Sequence, residues 1–379
     1  MNENHAYTLR QLTLYFLHLG YAGFGGPVAL VGYMHRDLVE KNQWILEEEY
    51  REGMTLAQLA PGPLAAQLSI YLGYVHYGIW GATLTGFAFV LPSFLMVLGL
   101  GVVYRHFGGL PWIQAIFYGV GAGVIGIIAL SSYKLTQKSL KNDIWLWGIF
   151  LVICVVTFIT EQEILWVILL AGLLYWLVKF PPKITAKAYF LMPLGIFPSW
   201  IPESKLMQIA WFFTKAGAFV FGSGLAIVPF LYGGVVKEYQ WLNEQQFLDA
   251  VAVAMITPGP VVITVGFIGF LAEGFSGACV AALATFLPCY LFTILFAPYL
   301  KKYGQNPQLK AFVNGITAAA VGAIAGSVLV LGKRTLNDIP TWTIALLAVL
   351  VLYRFKKIKE LHIIGLVALA GIVLKLIGS

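Results

Sequence analysis

The sequence predicts an all-α polytopic integral membrane protein made of two tandem inverted-topology repeats, each with helices broken inside the bilayer. Composition is the first observation. Of 379 residues, 59% are hydrophobic and only 11% charged, with a mean hydropathy of +0.81, whereas a soluble globule carries about a quarter charged residues. Apolar runs of roughly 17–25 residues, the length a helix needs to cross hydrocarbon, recur along the whole chain and leave no soluble domain over. The third observation is a doubled break: Pro61-Gly62-Pro63 and Pro258-Gly259-Pro260 stand 197 positions apart, each entered and left through apolar sequence.

The polar start, residues 1–10, leads into an apolar segment without a small-residue cleavage site, so it is expected to be retained. Segment 8–34 carries its own break at Gly23-Phe24-Gly25-Gly26-Pro27. A charged, Trp-bearing connection over 35–49 leads to the Pro-Gly-Pro segment, 47–74. Apolar helices near 79–103, 111–132, 143–160 and 164–179 complete the first repeat, 1–180. A proline-rich linker, 181–204, separates it from the second repeat, 205–379. That repeat replays the order: 206–232 with a break at Phe221-Gly222-Ser223-Gly224, then 243–272, 275–300, 309–331, 341–353 and 361–377.

The register argues for common origin. At an offset of 197, Gly20, Phe24-Gly25, Gln43-Trp44 and Glu47 match Gly217, Phe221-Gly222, Gln240-Trp241 and Glu244. After a one-residue deletion, Gly73, Gly78, Gly81, Leu91-Pro92, Gly119 and Gly126 match Gly269, Gly274, Gly277, Leu287-Pro288, Gly315 and Gly322. A helix entering Pro-Gly-Pro must stop, because proline lacks the N–H and clashes with the preceding turn while glycine admits conformations barred to other residues. Pro63 and Pro260 suit the first position of a new helix, whose free N–H groups form an anion seat. Bare backbone is tolerated at membrane depth only inside protein or a wet cavity, the pattern of broken helices at a transporter's repeat interface.

Charge sets the expected topology. Net charge is +7, carried by loop Lys and Arg of the kind that record orientation, and no solvated basic face suits nucleic acid. Lys134, Lys138, Lys141, Lys179, Lys183, Lys187, Lys301, Lys302, Lys310, Arg354, Lys356, Lys357 and Lys359 all become cytoplasmic when the halves are inverted. A parallel twelve-span layout strands the last seven outside. Inversion is met by about ten crossings plus two re-entrant Pro-Gly-Pro hairpins, or by 12–13 crossings in which 188–201 also spans. The shortness of 188–201, with Pro193 and Pro198, favours the hairpins.

His18 and Lys215 share a repeat position in apolar helical sequence shortly before the first break of each half. Ionisable groups there are expensive and read as counter-charge for an anion or as titrating groups; the alternative is Lys215 snorkelling to the interface and His18 bonded in the core. Glu52 and Asp249 form a second pair, nine residues before each Pro-Gly-Pro, and read as proton-coupling carboxylates or as acidic residues that stabilise a helix N-terminus. Gln67 and Thr264, just past the breaks, read either as hydrogen-bond donors to an oxyanion or as members of polar pairs in the core. Cys154, Cys279 and Cys289 lack metal or redox spacing and read as small core hydrophobes. No nucleophile elbow, P-loop or dinucleotide fingerprint is present, so the sequence carries no sign of an enzyme, resident metal or cofactor.

Phe24-Gly25-Gly26, Gln43-Trp44 and Leu59-Ala60-Pro61-Gly62-Pro63, repeated as Phe221-Gly222, Gln240-Trp241-Leu242 and Thr257-Pro258-Gly259-Pro260, resemble the chromate transporter family of bacterial membrane proteins, in its two-domain form and over essentially the whole chain. The resemblance implies a multi-pass carrier of the bacterial cytoplasmic (inner) membrane that exports chromate, an analogue of sulfate, and confers chromate resistance. Ser223 and Ile256-Thr257 depart from the first half and suggest halves no longer equivalent. The expected site for a tetrahedral divalent oxyanion comprises His18, Gly25, Gly26, Pro61, Gly62, Pro63, Gln67, Lys215, Gly222, Ser223, Pro258, Gly259, Pro260 and Thr264. Glu52 and Asp249 are expected to carry coupled protons. Partners are then chromate or a sulfate-like oxyanion, membrane lipid and, as an open expectation, a second copy in a homodimer. A sulfate exchanger, an anion channel and a non-transporting membrane scaffold are the competing readings.

Overall fold

A computed structural model describes residues 7–24, 26–108, 110–160, 165–181, 204–219, 221–222, 227–303, 306–355, 358 and 360–377. The described residues fold into fourteen α-helices. The first half holds α1 (Leu9–Ala22), α2 (Gly26–Met34), α3 (Glu47–Leu59), α4 (Leu64–Phe107), α5 (Pro111–Leu140), α6 (Ile144–Thr160) and α7 (Leu165–Lys179). The second holds α8 (Lys205–Phe219), α9 (Ile227–Tyr232), α10 (Glu244–Ile256), α11 (Thr264–Tyr303), α12 (Pro307–Thr335), α13 (Ile339–Arg354) and α14 (Glu360–Ile377). α2 and α9 each run on into a π-helical turn, His35–Lys41 and Gly233–Glu238. The repeated Gln-Trp ends those turns. Gln43 and Gln240 take left-handed φ of 52° and 50°, and the following Trp44 and Trp241 amides donate back to Leu38 and Val235.

α4 and α11 are each a pair of helices bent sharply at Tyr77-Gly78 and Glu273-Gly274, where the glycine φ values are 58° and 61°. The two arms fold back on one another. Thr85 Oγ1 donates to Ser69 O at 2.8 Å, and the backbones of Gly73 and Gly81, like those of Gly269 and Gly277, approach so closely that a methyl group on either would collide.

The Pro-Gly-Pro segment is a hairpin rather than a through-going helix. His76 bonds Glu49 at 3.1 Å, Tyr71 donates to Glu52 at 3.1 Å, and Gly53 abuts Leu68 and Tyr71, so α3 and the first arm of α4 run antiparallel from one end of the molecule. The first segment, 8–34, doubles back too instead of crossing once: Tyr7 before α1 stacks on Trp44 beyond α2 at 4.9 Å. Its break at Gly23 supplies the bend, where Leu30 returns against Gly23. In the second half Phe212 of α8 likewise stacks on Phe230 of α9, with 5.2 Å between ring centres.

Packing between the halves is crosswise. Gly266 lies against Phe94 and Val97, and Gly101 against Phe270, so the second arm of α4 is parallel to the first arm of α11 and antiparallel to its own repeat counterpart. The last two helices of each half leave it for the other. α6 and α7 pack on α12, with Gly322 on Phe150 and Gly315 on Ala171 and Gly172, while α13 and α14 pack on α5, with Gly126 on Ala345 and Gly119 on Gly371. Small residues there let helix backbones touch, the way membrane helices associate without a hydrophobic driving force.

Among the described residues four helices, Leu64–Phe107, Trp112–Gln137, Val261–Tyr299 and Pro307–Thr335, are long and apolar enough to cross a membrane, and four shorter apolar helices accompany them. Their outward faces are apolar: Leu283, Leu287, Leu291 and Leu295 form an exposed stripe down α11, and Ile144 and Ile339 are almost fully exposed. A stripe of that extent belongs against lipid. The chain is a multi-pass membrane protein.

Candidate functional site

Each Pro-Gly-Pro break meets the first break of the other half. Gly62 and Pro63 pair in parallel with Phe221 and Gly222, and at the equivalent place the Gly259 amide donates to Gly23 O at 2.8 Å. Backbone of the two breaks therefore pairs across the halves inside protein at both places, as burial demands. Gly62, Pro63 and residues 257–260 are buried, Pro61 half-buried. Gly62 and Gly259 have φ of 142° and 92°, which only glycine adopts without strain.

What lies beside each glycine was not legible in the sequence. A methyl group on Gly259 would collide with Ser93 Oγ and come within 3.0 Å of Gly20 O; one on Gly62 would sit 3.0 Å from Cys289 Cβ and 2.9 Å from the Gln67 amide. Ser93 and Cys289 are repeat counterparts, each fully buried against the other half's break. The Leu91-Pro92 match with Leu287-Pro288 stands immediately before both, and is the signal that leads to them. Ser93 Oγ donates to Gly20 O at 3.2 Å, which ties α4 to α1 beside the break.

The prolines act one step earlier than expected. Pro63 and Pro260 are N-caps with extended ψ of 116° and 123° rather than first helical residues; α4 starts at Leu64, and a 3-10 turn, Val261–Ile263, precedes α11. Gln67 is fully buried on the first arm of α4. Its Nε2 donates to Pro61 O at 2.9 Å and to Ala60 O at 3.3 Å, whereas its Oε1 is buried without a partner. Thr264 is equally buried but closes on its own turn, donating to Val261 O at 2.7 Å.

Lys215 is half-buried on α8, its Nζ 5.6 Å from the Trp211 ring centre, and it has no carboxylate partner among the described residues. The ring quadrupole attracts an ammonium at that distance without supplying a counter-charge. His18, its repeat counterpart, is exposed on α1 and hydrogen-bonded to Tyr21 OH at 2.9 Å through Nδ1. Gly26 opens α2, and Gly25 and Ser223 lie outside the described residues.

The carboxylate pair has diverged. Glu52 is half-buried and accepts from Tyr71 of its own hairpin. Asp249 is 3% exposed and accepts from Gln245 Nε2 at 2.8 Å and, at 2.6 Å, from Tyr104 OH at the far end of α4 in the other half. Neither sits at a helix N-terminus, where Glu47 and Glu244 are instead. Glu244 binds Arg334, and Glu47 binds His35 and Arg51.

The family model described as chromate transporter matches the chain twice, over residues 10–176 and 207–373. A chromate transport protein of Cupriavidus metallidurans is 65% identical over 97% of the chain and 93% of that protein. A probable chromate transport protein of Synechococcus elongatus is 62% identical over 97% of the chain and 96% of its own length. A more distant relative, a chromate transport protein of Pseudomonas aeruginosa, is 29% identical over 96% of the chain and 91% of its own. No solved structure matches the chain.

Proposed function

The chain belongs to the chromate transporter family, and from that premise we propose that it is a secondary carrier of the bacterial cytoplasmic membrane that exports chromate and thereby confers chromate resistance. The observation that carries the reading is the crosswise meeting of four helix breaks. Pro61-Gly62-Pro63 faces Phe221-Gly222, Pro258-Gly259-Pro260 faces Gly23, and a helix restarts beyond each Pro-Gly-Pro with its positive end at the break. A tetrahedral oxyanion is bound there by backbone N–H groups, with Lys215 as fixed counter-charge. A rocking of one half against the other exposes the junction to each side in turn.

Coupling to the proton gradient falls to Asp249, which is buried and bonded across the halves, rather than to Glu52; an exchanged anion is the second way to drive export. Orientation follows charge. Lys134, Lys141, Lys179, Lys310 and Arg354 lie toward the end that also bears Tyr7 and Trp44, and that end is assigned to the cytoplasm, so the antiparallel halves are inverted across the bilayer. The test is uptake of labelled chromate and sulfate into inverted vesicles with and without a pH gradient. Saturable, gradient-dependent chromate accumulation is the expected result. A steady anion current at fixed voltage makes the protein a channel, and no uptake above protein-free vesicles overturns the reading.

A further inference from the structure

An amide side chain has donors at one end and an acceptor at the other, and at Gln67 the structure determines which end is free. Nε2 lies against two carbonyl oxygens, those of Pro61 at 2.9 Å and Ala60 at 3.3 Å. Turning the amide over would set oxygen against oxygen, so the orientation is dictated by its partners. Oε1 is then an acceptor, 0% exposed and without a partner, one turn into α4 beside the Pro-Gly-Pro loop. A buried acceptor left unmade is costly and points to a ligand that makes it.

Two demands meet at this place. The first turn of α4 presents N–H groups that have no carbonyl within the helix, and its positive end favours a negative charge and opposes a cation. Oε1, in contrast, repels a bare oxyanion oxygen and needs a donor. An anion that carries its own proton satisfies both. The second half does not repeat the arrangement, because Thr264 spends its hydroxyl on Val261 O.

Resting on the carrier reading above, we infer that Gln67 Oε1 accepts the O–H of a singly protonated tetrahedral oxyanion, so that the site takes hydrogen chromate and discriminates against sulfate. Chromate holds a proton on part of its population near neutral pH, and sulfate and selenate hold none. An acceptor placed for a ligand O–H rejects the analogue that lacks it, because the buried group is left unpaired. The Gln67 amide is thereby a specificity-determining group on the first half alone.

The experiment measures labelled chromate uptake into vesicles containing the full chain, at one neutral pH, with unlabelled chromate, selenate or sulfate as competitor. Wild type is expected to be inhibited at least about tenfold less effectively by selenate and sulfate than by chromate. Gln67→Met, close in shape but without the acceptor, is expected to bring the three competitors close together. Equal competition in wild type overturns the inference and leaves the carrier intact, whereas no chromate uptake at all defeats the carrier reading itself. Unchanged discrimination in Gln67→Met means that a water satisfies Oε1, and a sodium requirement that this substitution removes means a cation does; both overturn the inference. Where Gln67→Met does not fold, the wild-type competition decides alone.

Discussion

The two halves agree in backbone and disagree in chemistry. Both bend at the same glycines, both cap a π-helical turn with Gln-Trp, and both place a Pro-Gly-Pro break against the first break of the other half. At four matched positions the side chains part: Glu52 against Asp249, Gln67 against Thr264, Ser93 against Cys289 and His18 against Lys215. Glu52 and Thr264 bond within their own half while Asp249 bonds across and Gln67 keeps a free acceptor, Ser93 bonds Gly20 O, and His18 is exposed where Lys215 is half-buried. Duplication preserved the geometry that a broken membrane helix requires, and left each half free to specialise.

The largest separation is expected at the carboxylates. Asp249→Asn should remove the stimulation of chromate uptake by a pH gradient, while Glu52→Gln, which removes the charge but keeps an acceptor for Tyr71 O–H, should lower uptake by less than about tenfold. Equal responses from the two would return the halves to equivalence. Tyr104→Phe keeps the ring but not the donor, and should shift the pH profile of uptake without abolishing it.

The cationic pair should differ less. Losing a partly desolvated positive charge near a bound anion costs several kcal/mol at an effective dielectric of about 20, so Lys215→Met should weaken apparent chromate affinity by at least about tenfold. Lys215→Arg should retain part of it. His18→Gln, at an exposed ring bonded to Tyr21 of its own helix, should change affinity by no more than about threefold. Affinities that are equal in wild type, Lys215→Met and Lys215→Arg would leave the anion to the helix ends alone.

The smallest effects are expected from exchanging counterparts. Ser93→Cys and Cys289→Ser alter one atom each beside a break, and each should change uptake by about twofold or less, measured at equal expression. For the topology, single cysteines at Lys134 and Arg354 should share one labelling pattern with a membrane-impermeant reagent in intact cells, opposite to cysteines at Arg105 and Lys333. A difference between the first two would undo the inverted arrangement.

Much of this was legible in the residues. Pro-Gly-Pro dictates a broken helix wherever it stands, and the glycine and Gln-Trp register reveals the duplication without any contact being known. The folding back of 8–44 was not legible, because Gly23 marks a bend without fixing its angle, and Tyr7 meets Trp44 only once the chain has turned. Nor was the exchange of α6 and α7 for α13 and α14, since helix-packing glycines such as Gly119 and Gly315 announce a close neighbour without naming it. Gln67 looked like a donor in sequence. Its donors are consumed by Ala60 and Pro61, a fact of three-dimensional placement that spacing cannot carry.

The most direct test compares glycines that share a positive φ but not a place. Gly62 and Gly259 stand at the junction of the halves, with neighbours already within contact of an added methyl group, whereas Gly78 and Gly274 have similarly positive φ at bends with nothing within 4 Å. Chromate uptake into inverted vesicles is measured for alanine at each of the four, normalised to folded protein. Gly62→Ala and Gly259→Ala are expected to lose most uptake while remaining folded, Gly259→Ala the more severely, and Gly78→Ala and Gly274→Ala to transport at rates close to wild type. Equal losses at all four, or full uptake with both junction glycines replaced, would contradict the claim that the crossed breaks are the transport site.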